Sequence, residues 1–208
     1  MSLAKDERAH LCDLFTEVGP DAPTLCGEWK TRDLAAHLVV RERRPDAAGG
    51  ILVKPLASYL DRVQNSYAAK PWPDLVALVR SGPPLLSVYH LPGMDDLLNT
   101  TEFYVHHEDV RRATAGWQPR PADKRRDAVL WAALSRSAKM MFRKSPVGII
   151  LRTPEGKDVT AKRGPDTVTI TGASGELLFY AFGRSESIVE FEGDQAAIGL
   201  VNGISRGL

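Results

Sequence analysis

Residues 94–116 read MDDLLNTTEFYVHHEDVRRATAG and carry the clearest helical pattern in the chain. Apolar side chains recur there every three or four residues, which predicts an amphipathic α-helix that ends at Gly116. One face of this helix carries Met94, Leu98, Glu102, Val105, His106, Asp109 and Ala113. Its apolar members indicate that the face packs against a core. A carboxylate in such a position is costly unless it is charge-paired, hydrogen-bonded or bound to a metal ion.

A second predicted helix, over residues 31–44, places His37 on its apolar side. Glu102 and His106 are four residues apart, so their side chains lie one above the other on their own helix. Two helices are therefore expected to direct metal-competent groups inward. Two histidines and one carboxylate suit Zn²⁺, Ni²⁺ or Fe²⁺ and leave coordination positions for water or substrate.

The same residues also allow simpler interpretations. A glutamate and a histidine at this spacing can form a surface hydrogen bond, and His37 can be an ordinary core histidine. Asp109 shares the face of Glu102 and can either orient His106 or act as an alternative ligand. His107 points to another side of the helix. Local spacing alone leaves these alternatives open.

The pattern of predicted secondary structure divides the chain into two parts. Residues 1–145 are predicted to form successive helices, whereas residues 146–208 read as short strands and short helices. Thr153-Pro154-Glu155-Gly156 is typical of a hairpin turn between two of those strands. The predicted fold class is therefore α+β, with a helical N-terminal domain and a small C-terminal domain.

Composition narrows the classes of function. The 208 residues include 27 lysines and arginines against 26 acidic residues, so no excess of positive charge favours nucleic acid. No apolar stretch reaches the roughly 18 residues of a transmembrane helix, and the charged N-terminus does not resemble a signal peptide. A cytoplasmic protein with no membrane partner is expected. Cys12 and Cys26 are expected to be reduced structural thiols away from the predicted ligands.

Three segments resemble one known family. Residues 23–37, PTLCGEWKTRDLAAH, and residues 102–113, EFYVHHEDVRRA, are similar to the two metal-binding motifs of the mycothiol-dependent maleylpyruvate isomerase family. Residues 175–184, GELLFYAFGR, resemble a segment of that family's small C-terminal domain. The resemblance implies a DinB-like four-helix bundle over residues 1–145 and a small α/β domain over residues 146–208. It also implies that His37, Glu102 and His106 are the metal ligands.

The resemblance further implies a thiol-using enzyme. Family members include an isomerase that converts a cis double bond to trans through thiol addition, and thiol S-transferases. The expected cofactors are a divalent metal, with zinc favoured over nickel or iron, and mycothiol or another low-molecular-weight thiol. The expected partner is a small electrophilic substrate.

The predicted metal site allows two alternative functions, and one further residue is predicted to take part in catalysis. A metal site with an open position also suits a hydrolase that uses metal-bound water, or a non-catalytic metal-binding module. Arg184 is the predicted catalytic residue, because a guanidinium group binds a carboxylate of substrate or thiol through two hydrogen bonds. The alternative for Arg184 is a structural salt bridge at a helix end.

Overall fold

The computed structural model describes residues 2–48, 57–84, 87, 94–204 and 206, with only the backbone described at residues 48 and 94–98. The described residues form helices and one four-stranded sheet, which confirms a mixed helix-and-sheet protein. The elements are α1 (Leu3–Val18), α2 (Thr31–Arg43), α3 (Pro45–Ala48), α4 (Ala57–Ala68), α5 (Trp72–Ser81), α6 (Met94–Arg111), α7 (Lys124–Met141), β1 (Ile149–Arg152), β2 (Asp158–Lys162), β3 (Val168–Thr171), α8 (Ser174–Ala181), β4 (Glu190–Glu192) and α9 (Gln195–Gly203).

The chain divides into two compact units, Met1–Pro119 and Arg120–Leu208. Helix α7, which the sequence analysis grouped with the preceding helices, packs against β2 and α8 within the second unit. The division into domains of residues 1–145 and 146–208 stays a prediction. In the described ranges, none of the helices combines the length and the hydropathy needed to cross a membrane.

In the first unit, α1 packs against α5 and α6, and α2 packs against α4 and α5. Ser2 caps the start of α1, since its hydroxyl accepts a hydrogen bond from the amide of Lys5, and Gly19 caps its end. Glycine suits this end because its φ is +81°. The core between these helices is apolar, and its largest fully buried side chains are Leu11, Phe15, Leu34, Leu38, Leu75 and Phe103.

The second unit contains a sheet with the strand order β2-β1-β3-β4. β1 pairs antiparallel with β2 and parallel with β3, while β3 pairs antiparallel with β4. The predicted hairpin between β1 and β2 is confirmed. Its turn closes with the amide of Gly156 donating to the carbonyl of Thr153 at 2.9 Å, and the φ of +84° at Gly156 favours glycine.

Gly148, just before β1, is required for a close backbone approach. A Cβ atom at this position would lie 2.9 Å from the carbonyl oxygen of Gly164, which cannot rotate away as a side chain would. We expect Gly148→Ala to lower the free energy of unfolding by about 1–3 kcal/mol through overpacking. Gly199 is the matched control, because it lies within α9 with open space around it. Gly199→Ala should raise stability by up to about 1 kcal/mol, the usual helix preference for alanine. Urea unfolding measures the free energy of unfolding of both variants. Equal changes in the two would contradict the packing argument.

Candidate metal centre

The structure brings the three predicted ligands together. The Nε2 atom of His37, on α2, lies 3.2 Å from Oε1 of Glu102, on α6. The Nε2 atom of His106, one helical turn after Glu102, lies 3.3 Å from the same oxygen. Nitrogen and oxygen atoms of the three side chains all fall within 4.8 Å of one another. Their side chains are 13%, 20% and 12% exposed, so the cluster is mostly buried and still reachable from solvent.

Glu102 is held in its ionised form by its neighbours. Burial alone would raise the pKa of this carboxyl group, but hydrogen bonds from His106 and His37 outweigh burial. The guanidinium of Arg41, with Nε 3.4 Å from Oε1 of Glu102, adds to the same effect. The pKa of Glu102 is therefore held well below its ordinary value, and the group is a carboxylate at neutral pH.

The pKa values of the two histidines are shifted in opposite directions. Burial lowers the pKa of His37, although its hydrogen bond with Glu102 opposes the change. Burial would also lower the pKa of His106, but hydrogen bonds with Asp109, Cys26 and Glu102 raise it well above the ordinary value. At neutral pH without metal, His37 is thus neutral, whereas His106 is a positively charged imidazolium with a proton on both ring nitrogens. A metal ion would have to displace one of these protons, because only the deprotonated nitrogen is a ligand.

The donor set fits a divalent metal ion. Two imidazole nitrogens and one carboxylate oxygen converge from α2 and α6, which is a ligand composition used by zinc with a further position left open. Among the described residues, a second group of metal-competent atoms shares one member with the first. It consists of Cys26, His106 and Asp109.

Cys26 is the residue that the sequence analysis misplaced. The thiol was expected to lie away from the ligands, yet its Sγ atom lies 3.6 Å from Nδ1 of His106 and 3.0 Å from Oδ2 of Asp109. The loop between α1 and α2 carries it there, because the amide of Leu25 donates to the carbonyl of Asp109 at 3.1 Å. The residues are about 80 positions apart, so no local spacing could reveal this contact.

The same loop contributes Trp29 to the site. The indole ring lies 5.2 Å from the ring of His37, centroid to centroid, and the two ring planes are tilted by 46°. The hydroxyl of Thr24 donates to the carbonyl of Trp29 at 2.7 Å and accepts from the amide of Cys26 at 3.1 Å. One hydroxyl therefore fixes the loop near both histidines.

A buried polar network extends from the cluster toward α1. Arg41 donates to the side-chain oxygen of Asn99, whose amide nitrogen donates to Oε1 of Glu42 at 2.7 Å. Glu42 also accepts two hydrogen bonds from the guanidinium of Arg8, at 2.6 and 2.7 Å. Arg41, which contacts Glu102, is thus positioned by a chain of buried side chains.

Arg184 lies in the second unit, just after α8. Its Nη1 atom donates to the carbonyl of Phe182 at 2.8 Å, an interaction that closes the end of that helix. The catalytic role predicted for Arg184 stays a prediction.

The two cysteines differ in burial, because Cys12 is buried and Cys26 is partly exposed. Cys12 is fully buried in the core of the first unit, and burial raises its pKa to about 12. At pH 8 only about one Cys12 thiol in ten thousand is a thiolate, the form that reacts. We expect a disulfide reagent to modify Cys26 in the native protein and Cys12 at least about 100-fold more slowly. Native Cys26→Ser should show almost no fast labelling, while Cys12→Ser should label like wild type. Two equally fast thiols would contradict this assignment.

The fold and the cluster together define a class: an α+β protein whose N-terminal helices carry a His–Glu–His set fit for a divalent metal. The sequence matches no protein-family model and no curated protein. The structure is similar to that of mycothiol-dependent maleylpyruvate isomerase, with 15% identity, a TM-score of 0.55, and coverage of 91% of this chain and 90% of that one. It is also similar to a histidine-to-alanine mutant of mycothiol-dependent maleylpyruvate isomerase, with 13% identity, a TM-score of 0.61 and the same coverage. The resemblance expected from the motifs is thereby confirmed for the fold.

Proposed function

We propose that this protein is a divalent-metal enzyme that uses a low-molecular-weight thiol, either as a mycothiol-dependent isomerase or as a thiol S-transferase. The observation that carries the proposal is the convergence of His37, Glu102 and His106 in a mostly buried, solvent-reachable cluster. The shared fold supports it, because the similar structures are those of a mycothiol-dependent isomerase and its mutant. The substrate is a small electrophile.

The roles of the residues follow from their contacts. His37, Glu102 and His106 would hold the metal, with zinc favoured over nickel or iron for this ligand set. When bound, a divalent metal would lower the pKa of a thiol and polarise a substrate oxygen. Arg41 adds to the effect of the two histidines in favouring the ionised form of Glu102, and the ring of Trp29 lies against that of His37.

Arg184 and the domain organisation complete the proposal. Arg184 would bind a carboxylate of the substrate or of the thiol through its guanidinium group. The N-terminal helices would form a DinB-like four-helix bundle, followed by a small α/β domain. A reduced thiol cosubstrate also favours a cytoplasmic location, where thiols are kept reduced.

The test is thiol-dependent turnover by the metal-loaded protein. Zinc-loaded protein is incubated with mycothiol, glutathione or cysteine and with a panel of electrophiles that includes maleylpyruvate. Isomerisation changes the substrate spectrum without net loss of thiol, whereas transfer consumes one thiol for each product molecule. Glu102→Ala should abolish either activity. Glu28→Ala, an exposed carboxylate in the α1–α2 loop, is the matched control and should keep it.

Two results would overturn the proposal. Cleavage of esters or amides without thiol would show a metal-dependent hydrolase. No turnover with any thiol and electrophile, by protein that binds zinc tightly, would show a non-catalytic metal-binding module.

A further inference from the structure

We infer that Asp109 is a positioning residue that fixes the imidazole ring of His106, and that Cys26 holds Asp109 in place through a hydrogen bond to the same carboxylate oxygen. The inference deepens the proposed function, since His106 is one of the proposed ligands. It assigns a role to a buried carboxylate and to a thiol that the metal set itself does not use.

The first observation is the geometry around one carboxylate oxygen. Oδ2 of Asp109 lies 2.9 Å from Nδ1 of His106 and 3.0 Å from Sγ of Cys26, which donates to it. The Asp109 side chain is fully buried, with 0% exposure. The imidazole ring of His106 and the thiol of Cys26 therefore converge on the same carboxylate oxygen inside the protein.

The second observation is that the two ring nitrogens of His106 face different partners. Nδ1 faces Asp109, whereas Nε2 faces Glu102 at 3.3 Å. An acceptor at Nδ1 requires the hydrogen to sit on that nitrogen, which leaves the lone pair of a neutral ring on Nε2. This is the nitrogen that points toward the proposed ligand set. Hydrogen bonds of this kind fix the tautomer and the orientation of a metal-binding histidine.

The third observation is the backbone that carries the arrangement. Asp109 lies three residues after His106 on α6, so the helix itself sets their separation. The amide of Leu25 donates to the carbonyl of Asp109 at 3.1 Å, next to the thiol contact from Cys26. The α1–α2 loop is thus attached to Asp109 through both main chain and side chain, next to the ring of His106.

The experiment measures zinc affinity by competition with a chelating dye. Asp109→Asn keeps the volume of the side chain and removes its charge, and should weaken zinc binding by about 10–100-fold. Cys26→Ser keeps a donor to Asp109 and should stay close to wild type, whereas Cys26→Ala should bind several-fold more weakly. Asp13→Asn is the matched control, because Asp13 is an exposed carboxylate paired with Arg80. Asp109→Asn with wild-type affinity would overturn the inference, and equal affinities of the two Cys26 variants would remove Cys26 from it.

A second readout does not depend on metal. In NMR spectra of the metal-free protein, the Nδ1 proton of His106 should appear downfield and exchange slowly, because it is bonded to a buried carboxylate. His107 provides an internal control, since its Nδ1 atom lies 3.0 Å from Oε2 of Glu7 in an equally buried pair. Asp109→Asn should move the His106 signal and leave that of His107 in place. If no such His106 proton exists in wild type, the inference is wrong.

The two readouts separate this inference from the proposed function. Wild-type protein that binds no zinc but shows the His106 proton would refute the metal centre and retain the positioning role. Tight zinc binding by wild-type protein that lacks the His106 proton signal would retain the metal centre and refute the positioning role. Two zinc ions per chain would indicate that Cys26, His106 and Asp109 form a metal site of their own, which would also overturn the positioning role.

Discussion

Glu42→Ala is expected to lower the free energy of unfolding of the metal-free protein by about 3–5 kcal/mol, the usual cost of breaking a buried ion pair. Arg8 and Glu42 are buried, with side chains 7% and 2% exposed, and their two hydrogen bonds are short. The variant leaves the guanidinium charge buried without its carboxylate. The loss exceeds that of a truncated surface pair because water cannot replace the missing partner.

The double variant Arg8→Met/Glu42→Leu should recover most of that loss, because two apolar side chains need no charge compensation. The exposed pair between Arg80 and Asp13, with N–O distance 2.7 Å and side chains 45% and 68% exposed, is the control. Asp13→Ala should change stability by less than about 1 kcal/mol. Urea unfolding of the four proteins gives the comparison. Equal losses of unfolding free energy for Glu42→Ala and Asp13→Ala would show that the buried ion pair contributes no more to stability than an exposed one.

The second large effect concerns metal content and activity. Glu102→Ala should purify with almost no zinc and bind it at least about 100-fold more weakly than wild type, more than expected for a residue that only orients a ligand. His37→Ala should show the same loss, because two remaining donors no longer define a site. Thiol-dependent turnover should fall with metal content in both variants. Elemental analysis of the purified proteins measures the first effect directly.

The control for this loss is Glu28→Ala, which removes an exposed carboxylate and should keep about one zinc per chain. Equal zinc in wild type, Glu102→Ala and His37→Ala would mean that the assigned ligands are wrong. Circular dichroism of each metal-free variant separates loss of a ligand from loss of folding.

Helical periodicity in the sequence predicted the helix that carries two of the three proposed ligands. The pattern of residues 94–116 predicted a helix that the structure places at Met94–Arg111, and the side-chain repeat put Glu102 and His106 on one face. That pairing needs only the geometry of one helix, which sequence spacing defines. The end differs because residues 112–116 form turns after Arg111, with Gly116 at a φ of +83°.

Contacts between distant segments could not be predicted in this way. Cys26 reaches Asp109 because a loop folds back onto α6. Glu42 on α2 reaches Arg8 on α1, although 34 positions separate the two residues in the sequence. The parallel pairing of β1 with β3, which skips β2 in chain order, also depends on packing rather than on strand pattern. Sequence periodicity therefore suffices to predict helices, strands and the spacing of side chains within one helix. The contacts of Cys26 with Asp109 and of Arg8 with Glu42 can be seen only in the tertiary structure.

The central claim is that His37, Glu102 and His106 bind the metal, rather than the overlapping group Cys26, His106 and Asp109. X-ray absorption at the zinc edge distinguishes the two directly, because nitrogen and oxygen ligands lie at about 2.0–2.1 Å and a thiolate sulfur at about 2.3 Å. For zinc-loaded wild-type protein prepared without added thiol, we predict a shell of nitrogen and oxygen alone, unchanged in Cys26→Ser. A sulfur ligand at the longer distance that disappears in Cys26→Ser would contradict the account.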